Sequence, residues 1–395
     1  MLTPNQFAWQ SILKNRFCSM MFLCLVGIAS ACLFGVGFFN ENLSSGIGQV
    51  KGRIGADLIA VPSSYDKAAK DALFAGDACT ILFPENPEAQ ISQLDGISQV
   101  SSQLYLKTLA FSCCSTAGLQ LIAFDPKTDF TVSKWTDEKI ENLAADEMVV
   151  GACCGMKQGT SMNFYGQTFK VADVLDETGM GYDQSIFISY DAANQITASP
   201  EYAVYFGEKQ NLSSMILINT DSGSDIETLS KSLGRSLNGV SLYATDSLVS
   251  ELKSQADYFR ISGFVMDAFV ILLAVIALFA LITITFYQRK KRVGSLLSVG
   301  ISRGKIVQIF FLEYLYLTLL GTGAGIGIVS VFVIPLHQII KQTVNMPYRL
   351  TNFGGLALLI LAVCGVNLLI LLISCSLTFT KILRTEPAHL TEEMA

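Results

Sequence analysis

Cysteines outside the apolar stretches of the sequence have a spacing that could support thiol chemistry. Cys113 and Cys114 form one adjacent pair, Cys153 and Cys154 form a second, and Cys79 stands alone. Consecutive Cα atoms are only about 3.8 Å apart, which is shorter than a disulfide usually spans. Any disulfide is therefore expected between the pairs or to Cys79, and the odd count leaves at least one thiol over.

The alternative chemistry is a soft-metal or haem-linked site built from the same cysteines. Thiolates favour copper(I), zinc and iron, and methionine thioethers nearby could add ligands, namely Met148, Met156, Met162 and Met180. Adjacent cysteines differ, however, from the C-x-x-C spacing that is typical of zinc sites. Disulfides and a thiolate site both stay open as interpretations.

Other catalytic chemistry is not indicated. The 2 histidines, His337 and His389, are far apart in the sequence, so no Ser-His-Asp triad or histidine metal site is expected. The sequence has no G-x-x-x-x-G-K-[ST] phosphate loop, so we expect no ATP hydrolysis by this chain. The net charge of -6 and the lack of a long basic run argue against nucleic-acid binding. We therefore predict that the chain is not an enzyme and holds no cofactor of its own.

The composition predicts an integral membrane protein. Hydrophobic residues make up 51% of the chain and charged residues 15%, with a mean hydropathy of +0.45. A membrane-spanning helix needs about 20 mostly apolar residues, and four windows meet this requirement. The first window has a long apolar core and no clear cleavage site, so we interpret it as a retained anchor and not as a signal peptide.

The distribution of lysine and arginine predicts which side of the membrane each segment occupies. Basic residues gather between the second and third windows, at Arg289, Lys290, Lys291, Arg292, Arg303 and Lys305. The loop between the third and fourth windows has only Lys341 and Arg349. Because basic loops stay in the cytoplasm, both termini are predicted to be cytoplasmic and the long segment after the first window extracytoplasmic.

These observations predict four transmembrane helices with a large α+β extracytoplasmic domain inserted between the first two. The predicted segments are 1–16 (cytoplasmic), 17–39 (first span), 40–245 (α+β domain), 246–287 (stalk helix and second span), 288–306 (cytoplasmic), 307–334 (third span), 335–354 (outer loop), 355–380 (fourth span) and 381–395 (cytoplasmic tail). Within the α+β domain, alternating apolar patterns predict strands, a hairpin with Gly166 in its turn, and a helix at 136–144.

The segment that follows the second window resembles the FtsX-like or MacB-like permease subunits of ABC transporters. The positions that match this family are Gly294, Leu296, Gly300, Ser302, Ile306, Glu313 and Gly321. Arg292 stands where the family commonly has glutamate, and Leu297 where it commonly has arginine. The C-terminal KILRTEPAHL is also similar to the basic, proline-containing end of these permeases, and so is the topology.

The resemblance implies partners and a mechanism for this chain. It implies a separate cytoplasmic ABC ATPase, a second copy of the permease, and outer domains that move with the membrane helices. The segment 288–306 would contact the ATPase, with Arg289, Lys290, Lys291, Arg292, Gly294, Gly300, Ser302 and Arg303 as the coupling residues. The chain would lie in the cytoplasmic (inner) membrane, surrounded by lipid.

The resemblance also limits the substrate. The stretches CCSTAGLQLIAFDPKTDF and GADLIAVP are similar to a branch of the family associated with iron or haem. A metal, haem or an amphipathic molecule is therefore the expected substrate, with Cys79, Cys113, Cys114, Cys153 and Cys154 as candidate ligands. Two alternatives stay open: a non-transporting regulator of a cell-wall hydrolase, and a machine that extracts lipoproteins or lipids.

Two further features of the apolar windows concern helix packing. Glycines in the third window, Gly321, Gly323, Gly325 and Gly327, are expected to allow close helix contact, either within one subunit or between two copies. Glu313 is an ionisable residue in the same window, where an unpaired charge is costly. We predict that Glu313 pairs with Arg303 or Lys305.

Overall fold

The fold was analysed in a computed structural model of the protein. The described residues are 4–108, 119–136, 140, 143–164, 166–198, 212–221, 225–289, 293–294, 302–344 and 346–384. The chain divides into two compact units. The first, called here the helix unit, comprises Met1–Glu41, Tyr258–His337 and Thr351–Ala395; the second, called the sheet domain, comprises Asn42–Asp257 and Gln338–Leu350.

The apolar windows of the sequence form long helices. In chain order the helices are α1 (Pro4–Lys14), α2 (Arg16–Ile54), α3 (Asp66–Phe74), α4 (Glu88–Ile91), α5 (Tyr190–Thr197), α6 (Ile226–Ser236), α7 (Thr245–Gln288), α8 (Arg303–Val344) and α9 (Phe353–Arg384). Among the described residues, 4 helices are long and apolar enough to cross a membrane: α2, α7, and most of α8 and α9. These are the four helices that the hydropathy of the sequence predicts.

The first long helix extends further than predicted. The sequence places the end of the first span at residue 39, but α2 continues to Ile54. The added part is polar overall, yet Leu43, Ile47, Val50 and Ile54 are each 2% exposed or less. Their spacing of three and four residues puts them on one face of a helix, and burial of this face stabilises α2 beyond the apolar window.

The sheet domain is built on one mixed sheet. Its strands are β1 (Leu58–Pro62), β2 (Ile97–Lys107), β3 (Gln120–Phe124), β4 (Glu147–Val150), β5 (Ser161–Phe164), β6 (Gln167–Val174), β7 (Ser185–Ser189), β8 (Met215–Thr220) and β9 (Val240–Ala244). The described strands form a 9-stranded sheet in the order β5-β6-β4-β7-β3-β2-β8-β1-β9. The pairs β3·β7 and β4·β6 are parallel, and the other neighbouring pairs are antiparallel.

Short helices and a hairpin complete the sheet domain much as the sequence predicts. The hairpin of β5 and β6 turns at Gly166, whose φ of 77° lies in the left-handed region that favours glycine. Helix α5 begins after Ser189, whose hydroxyl accepts a hydrogen bond from the Ala192 amide, as an N-cap residue does. Most of the helix predicted at 136–144 lies outside the described residues.

Candidate functional site

The predicted coupling residues lie around the junction between α7 and α8. Ser302 precedes α8, and its carbonyl oxygen accepts hydrogen bonds from the Lys305 and Ile306 amides. Val293, next to Gly294, is buried in the same apolar cluster as Ile306 and Phe310. Lys290, Lys291, Arg292 and Gly300 lie outside the described residues, and of Arg303 the structure describes the backbone, at the start of α8.

Arg289 forms a buried ion pair in the helix unit. Its Nη1 atom donates to Glu313 Oε2 at 2.7 Å and to Ser11 Oγ at 2.9 Å. The Arg289 side chain is 8% exposed and that of Glu313 is 1% exposed. The guanidinium group also lies 5.7 Å from the centre of the Phe310 ring. This pair therefore joins α1, α7 and α8 in the interior of the helix unit.

The prediction that Glu313 pairs with Arg303 or Lys305 is wrong. Both residues are in the first turn of α8, whereas Glu313 lies at least eight residues further along the helix, a rise of about 12 Å. The end of α7 brings Arg289 next to Glu313 instead. Arg289 is one of the residues predicted to contact a partner ATPase, and its guanidinium group is already bonded inside the chain.

A second buried polar group connects three of the long helices. Asn367 on α9 donates from Nδ2 to Ser30 Oγ on α2 at 2.9 Å, and Ser30 Oγ lies 3.4 Å from Thr322 Oγ1 on α8. Ser30 also donates to the carbonyl oxygen of Val26 at 2.6 Å. Such bonds hold membrane helices together because lipid offers no alternative partner. Asn367, a polar residue in an apolar window, is the sequence signal for this group.

The glycine run of α8 divides into two faces. A Cβ atom on Gly325 would overlap the Gly27 carbonyl oxygen of α2, and one on Gly321 would lie 3.0 Å from the Val26 side chain. Gly323 and Gly327 differ, since no described atom lies within 4 Å of the position of their Cβ atoms. Gly321 and Gly325 therefore serve close packing within one subunit, and Gly323 and Gly327 lie on an open face.

Two of the predicted thiols are half-buried and lie within hydrogen-bond distance of backbone carbonyl oxygens. Cys154 Sγ lies 3.5 Å from the carbonyl oxygen of Ser185, and burial raises the pKa of this thiol to about 12. Cys79 Sγ donates to the Ala68 carbonyl oxygen at 3.7 Å, and burial raises its pKa to about 11. The raised pKa values favour the protonated thiol at neutral pH, whereas a metal ligand is the thiolate.

The structure brings no metal cluster together in the part of the chain that it describes. There, no group of three or more His, Cys, Asp or Glu side chains could hold an ion. Cys153 lies beside Cys154, half-buried, while Cys113 and Cys114 are outside the described residues. Met148 and Met180 are fully buried, and Met156 and Met162 pack on the same apolar core as Cys154. The methionines therefore have a packing role in the sheet domain.

The raised pKa values predict a particular pH dependence of thiol alkylation. In the full chain in detergent, the alkylation rate of Cys79 and Cys154 is expected to rise about tenfold per pH unit up to pH 10, because the thiolate fraction is still growing. The rate is measured by mass spectrometry of peptides after short pulses of iodoacetamide. A Lys157→Cys variant supplies an exposed reference thiol, whose rate should level off above about pH 9, since an unperturbed thiol has a pKa of about 8.5. An alkylation rate of Cys154 that levels off at the same pH as the reference thiol would contradict the raised pKa of Cys154.

The two units together define the class of protein. Four apolar helices with buried polar contacts and a mixed α/β sheet domain are the features of a multi-pass membrane protein with a large domain outside the lipid. Residues 264–387 match the family described as FtsX-like permease C-terminal. This region, which is less than half of the chain, is therefore similar to the FtsX-like permeases of ABC systems, in agreement with the resemblance seen in the sequence. The matched region includes Arg289, Glu313 and the glycine run.

Two solved structures are similar to about half of the chain. The periplasmic region of MacB from Actinobacillus actinomycetemcomitans has 12% sequence identity and a TM-score of 0.34, and the match covers 52% of this chain and 97% of that one. The extracellular domain of the noncanonic ABC-type transporter YknZ from Gram-positive bacteria has 17% identity and a TM-score of 0.30, covering 48% of this chain and 98% of that one. The similarity to the FtsX-like permeases rests on residues 264–387.

Proposed function

We propose that the chain is the permease subunit of an ABC transporter that couples ATP hydrolysis by a separate ATPase to movement of a substrate at or across the membrane. The observation that carries this proposal is the family match over 264–387. The four apolar helices support it, since they supply the membrane part that such a subunit needs. The ATPase activity would reside in the partner, because this sequence has no phosphate loop.

The proposal places both termini in the cytoplasm and the sheet domain on the outer side of the cytoplasmic membrane. The support is the excess of basic residues at 288–306 over the loop between α8 and α9. With this orientation the junction between α7 and α8 faces the cytoplasm, where ATP is available. Arg289, directly after the end of α7, would then bring the buried ion pair close to a cytoplasmic partner.

The ATPase would dock on the basic segment 288–306. Lys290, Lys291, Arg292 and Arg303 provide the positive charge for an acidic partner surface, and Gly294, Gly300 and Ser302 are the positions that the family shares. Arg289 has a different part in this proposal. Its ion pair with Glu313 fixes the end of α7 to α8, so a force applied at 288–306 reaches both helices.

A second copy of the permease would complete the membrane part of the complex. Closed two-fold symmetry is the common arrangement of homodimers. The open face of α8 with Gly323 and Gly327 supports a contact between copies, because small residues allow helices to approach closely in lipid. Lipid covers the remaining apolar surfaces of the long helices.

The substrate class depends on the cysteines. A metal or haem would need thiolates, and an oxidising outer compartment would favour disulfides among Cys79, Cys113, Cys114, Cys153 and Cys154 instead. Burial raises the pKa of Cys79 and Cys154, so a metal that bound these two residues would have to displace their protons. The second candidate function, in which ATP-driven movement activates a cell-wall hydrolase, needs no thiol ligand. An amphipathic or lipid substrate needs no thiol at all.

The proposal predicts that an ATPase purifies with this chain. The tagged full chain, isolated from its native membrane in mild detergent, is expected to carry ATP hydrolysis. Changing Lys290, Lys291 and Arg292 to glutamine should weaken the association about tenfold, if each charge contributes roughly 0.5 kcal/mol. The measurement is the ATP hydrolysis rate per mole of permease against salt concentration.

A matched control removes the same charge elsewhere. Lys127, Lys157 and Lys170 are exposed on the sheet domain, and their triple change to glutamine is expected to leave the hydrolysis rate unaltered. If the folded wild-type chain carries no ATP hydrolysis from membranes that contain its partners, the proposed function is wrong.

A further inference from the structure

The end of α8 and the residues that follow it are part of the sheet domain. Residues 338–350 belong to the compact unit of the sheet domain, although the chain on either side of them belongs to the helix unit. Helices α2 and α7 each contribute residues to the sheet domain as unbroken helices. Helix α2 continues into it as far as Ile54, and α7 begins within it at Thr245. Helix α8 also continues into this unit, to Val344, whereas α9 begins at Phe353, outside it. The end of α8 and the segment that follows it therefore provide a covalent connection from α8 and α9 to the sheet domain.

Residues 346–350, called here the clamp, bind between α2 and one loop of the sheet domain. The Tyr348 amide donates to the Gly179 carbonyl oxygen at 3.2 Å, and the Arg349 amide donates to the Asn42 carbonyl oxygen at 3.3 Å. The Asn42 side chain donates from Nδ2 to the Tyr348 hydroxyl at 2.9 Å. Asn42 is fully buried and Tyr348 is 2% exposed. A buried polar side chain pays a desolvation cost unless it is bonded, so these contacts are specific.

Glycines on both sides allow the backbone of the clamp to approach. A Cβ atom on Gly46 of α2 would overlap the Pro347 carbonyl oxygen. Gly179 has a φ of 76°, in the left-handed region, and its Cβ position lies 3.2 Å from Arg349 Cβ. Larger residues at these two positions would therefore push the clamp away. Gly48, on the same helix, has no described atom within 4 Å of its Cβ position.

The loop that receives the clamp is held rigidly. Asp183 is fully buried, and its carboxylate accepts hydrogen bonds from the Thr178 amide and hydroxyl at 2.7 and 2.6 Å and from the Gly179 amide at 2.7 Å. Arg53 of α2 donates to the Glu177 carbonyl oxygen at 3.0 Å. Two residues after Asp183 the chain enters β7, which pairs with β3 and β4 near the middle of the sheet. A displacement of this loop therefore reaches the centre of the sheet.

We propose that the clamp transmits movement of α8 and α9 to the sheet domain through residues 177–183. This inference rests on the proposed function, because it gives a route for the ATP-driven movement of the membrane helices. Asn42, Gly46, Gly179 and Tyr348 are positioning residues in this route. They hold the covalent link between α8 and α9 against the loop that leads into β7.

A pair of glycine substitutions on α2 tests the clamp in the full chain alone. Gly46→Val should displace the clamp, and Gly48→Val carries the same cost in helix propensity without the overlap. In hydrogen exchange followed by mass spectrometry, the peptide with Tyr348 is expected to exchange slowly in the wild type and in Gly48→Val. It should exchange at least tenfold faster in Gly46→Val. If the Tyr348 amide is unprotected in the wild type, or if the two variants exchange at the same rate, the contacts described for the clamp are wrong.

The second arm adds the partner ATPase and asks whether the clamp transmits movement. ATP is expected to change the exchange of the peptide 177–189 in the wild type and in Gly48→Val, and to have less than a tenth of that effect in Gly46→Val, while ATP hydrolysis stays within about twofold. Tyr348→Phe removes one hydrogen bond and little volume, so its response of the peptide 177–189 to ATP should lie between those of the wild type and Gly46→Val.

A full response of this peptide to ATP in Gly46→Val would overturn the proposal. If no ATPase binds the wild type, the proposed function fails, and the first arm still decides whether the clamp exists.

Discussion

Replacement of Glu313 by glutamine is expected to destabilise the helix unit by about 3 kcal/mol, since removal of one partner from a buried ion pair leaves a buried charge without its counterion. Arg289 would keep its hydrogen bond to Ser11 but lose the carboxylate at 2.7 Å. The thermal unfolding temperature of the full chain in detergent should fall by several degrees. Coupling should suffer as well, because α7 and α8 would no longer be joined where the segment 288–306 begins.

Two further variants isolate the ion pair as the cause. The double variant Arg289→Met, Glu313→Leu removes both charges and is expected to recover most of the lost stability, because no buried charge remains. Glu251→Gln breaks an exposed ion pair with Lys70, at 3.7 Å and with Glu251 56% exposed, and should change stability by less than about 0.5 kcal/mol. A double variant as unstable as Glu313→Gln would show that the pair itself is not the source of the effect.

Gly325→Val is expected to have an effect of similar size on folding. The new side chain would overlap the Gly27 carbonyl oxygen, and backbone atoms of α2 cannot move aside as a flexible side chain can. Overpacking of this kind costs about 3 kcal/mol or more when backbone must shift. We expect little folded protein in detergent, measured as the monodisperse fraction after size-exclusion chromatography.

The neighbouring glycines provide matched controls. Gly323→Val and Gly327→Val place the same side chain on the same helix where no described atom lies within 4 Å. Both variants are expected to fold, and both should weaken association of two copies if the open face of α8 is the contact between them. Equal loss of folding in all three variants would contradict the division of the glycine run into two faces.

The apolar helices and most strands could be predicted because each follows from a local pattern. A window of 20 apolar residues predicts a span wherever it occurs, and the runs that became β1, β3 and β7 are apolar and flanked by turns. The extension of α2 to Ile54 escaped prediction, since Leu43, Ile47, Val50 and Ile54 are separated by polar residues that lower the hydropathy of the segment. Helical spacing of these four residues was the available signal.

The contacts of the candidate site could not be predicted because they join residues far apart in the chain. The sequence shows that Glu313 needs a cation, but the choice of Arg289 over Arg303 or Lys305 depends on which helix lies beside α8. The clamp also joins distant residues, since Tyr348 and Asn42 are separated by more than 300 positions. The glycine run shows the same limit: its composition predicts close packing, and the neighbouring helix decides which glycines take part.

Movement of the sheet domain driven by ATP is the central claim, and a distance between two copies tests it most directly. A nitroxide introduced at Lys157 through a non-natural amino acid avoids the 10 cysteines and sits on an exposed site of the sheet domain. Pulsed electron spin resonance on the complex of permease and ATPase is expected to show one distance distribution without nucleotide and a shifted one with ATP. An unchanged distribution in a complex that hydrolyses ATP would contradict the account.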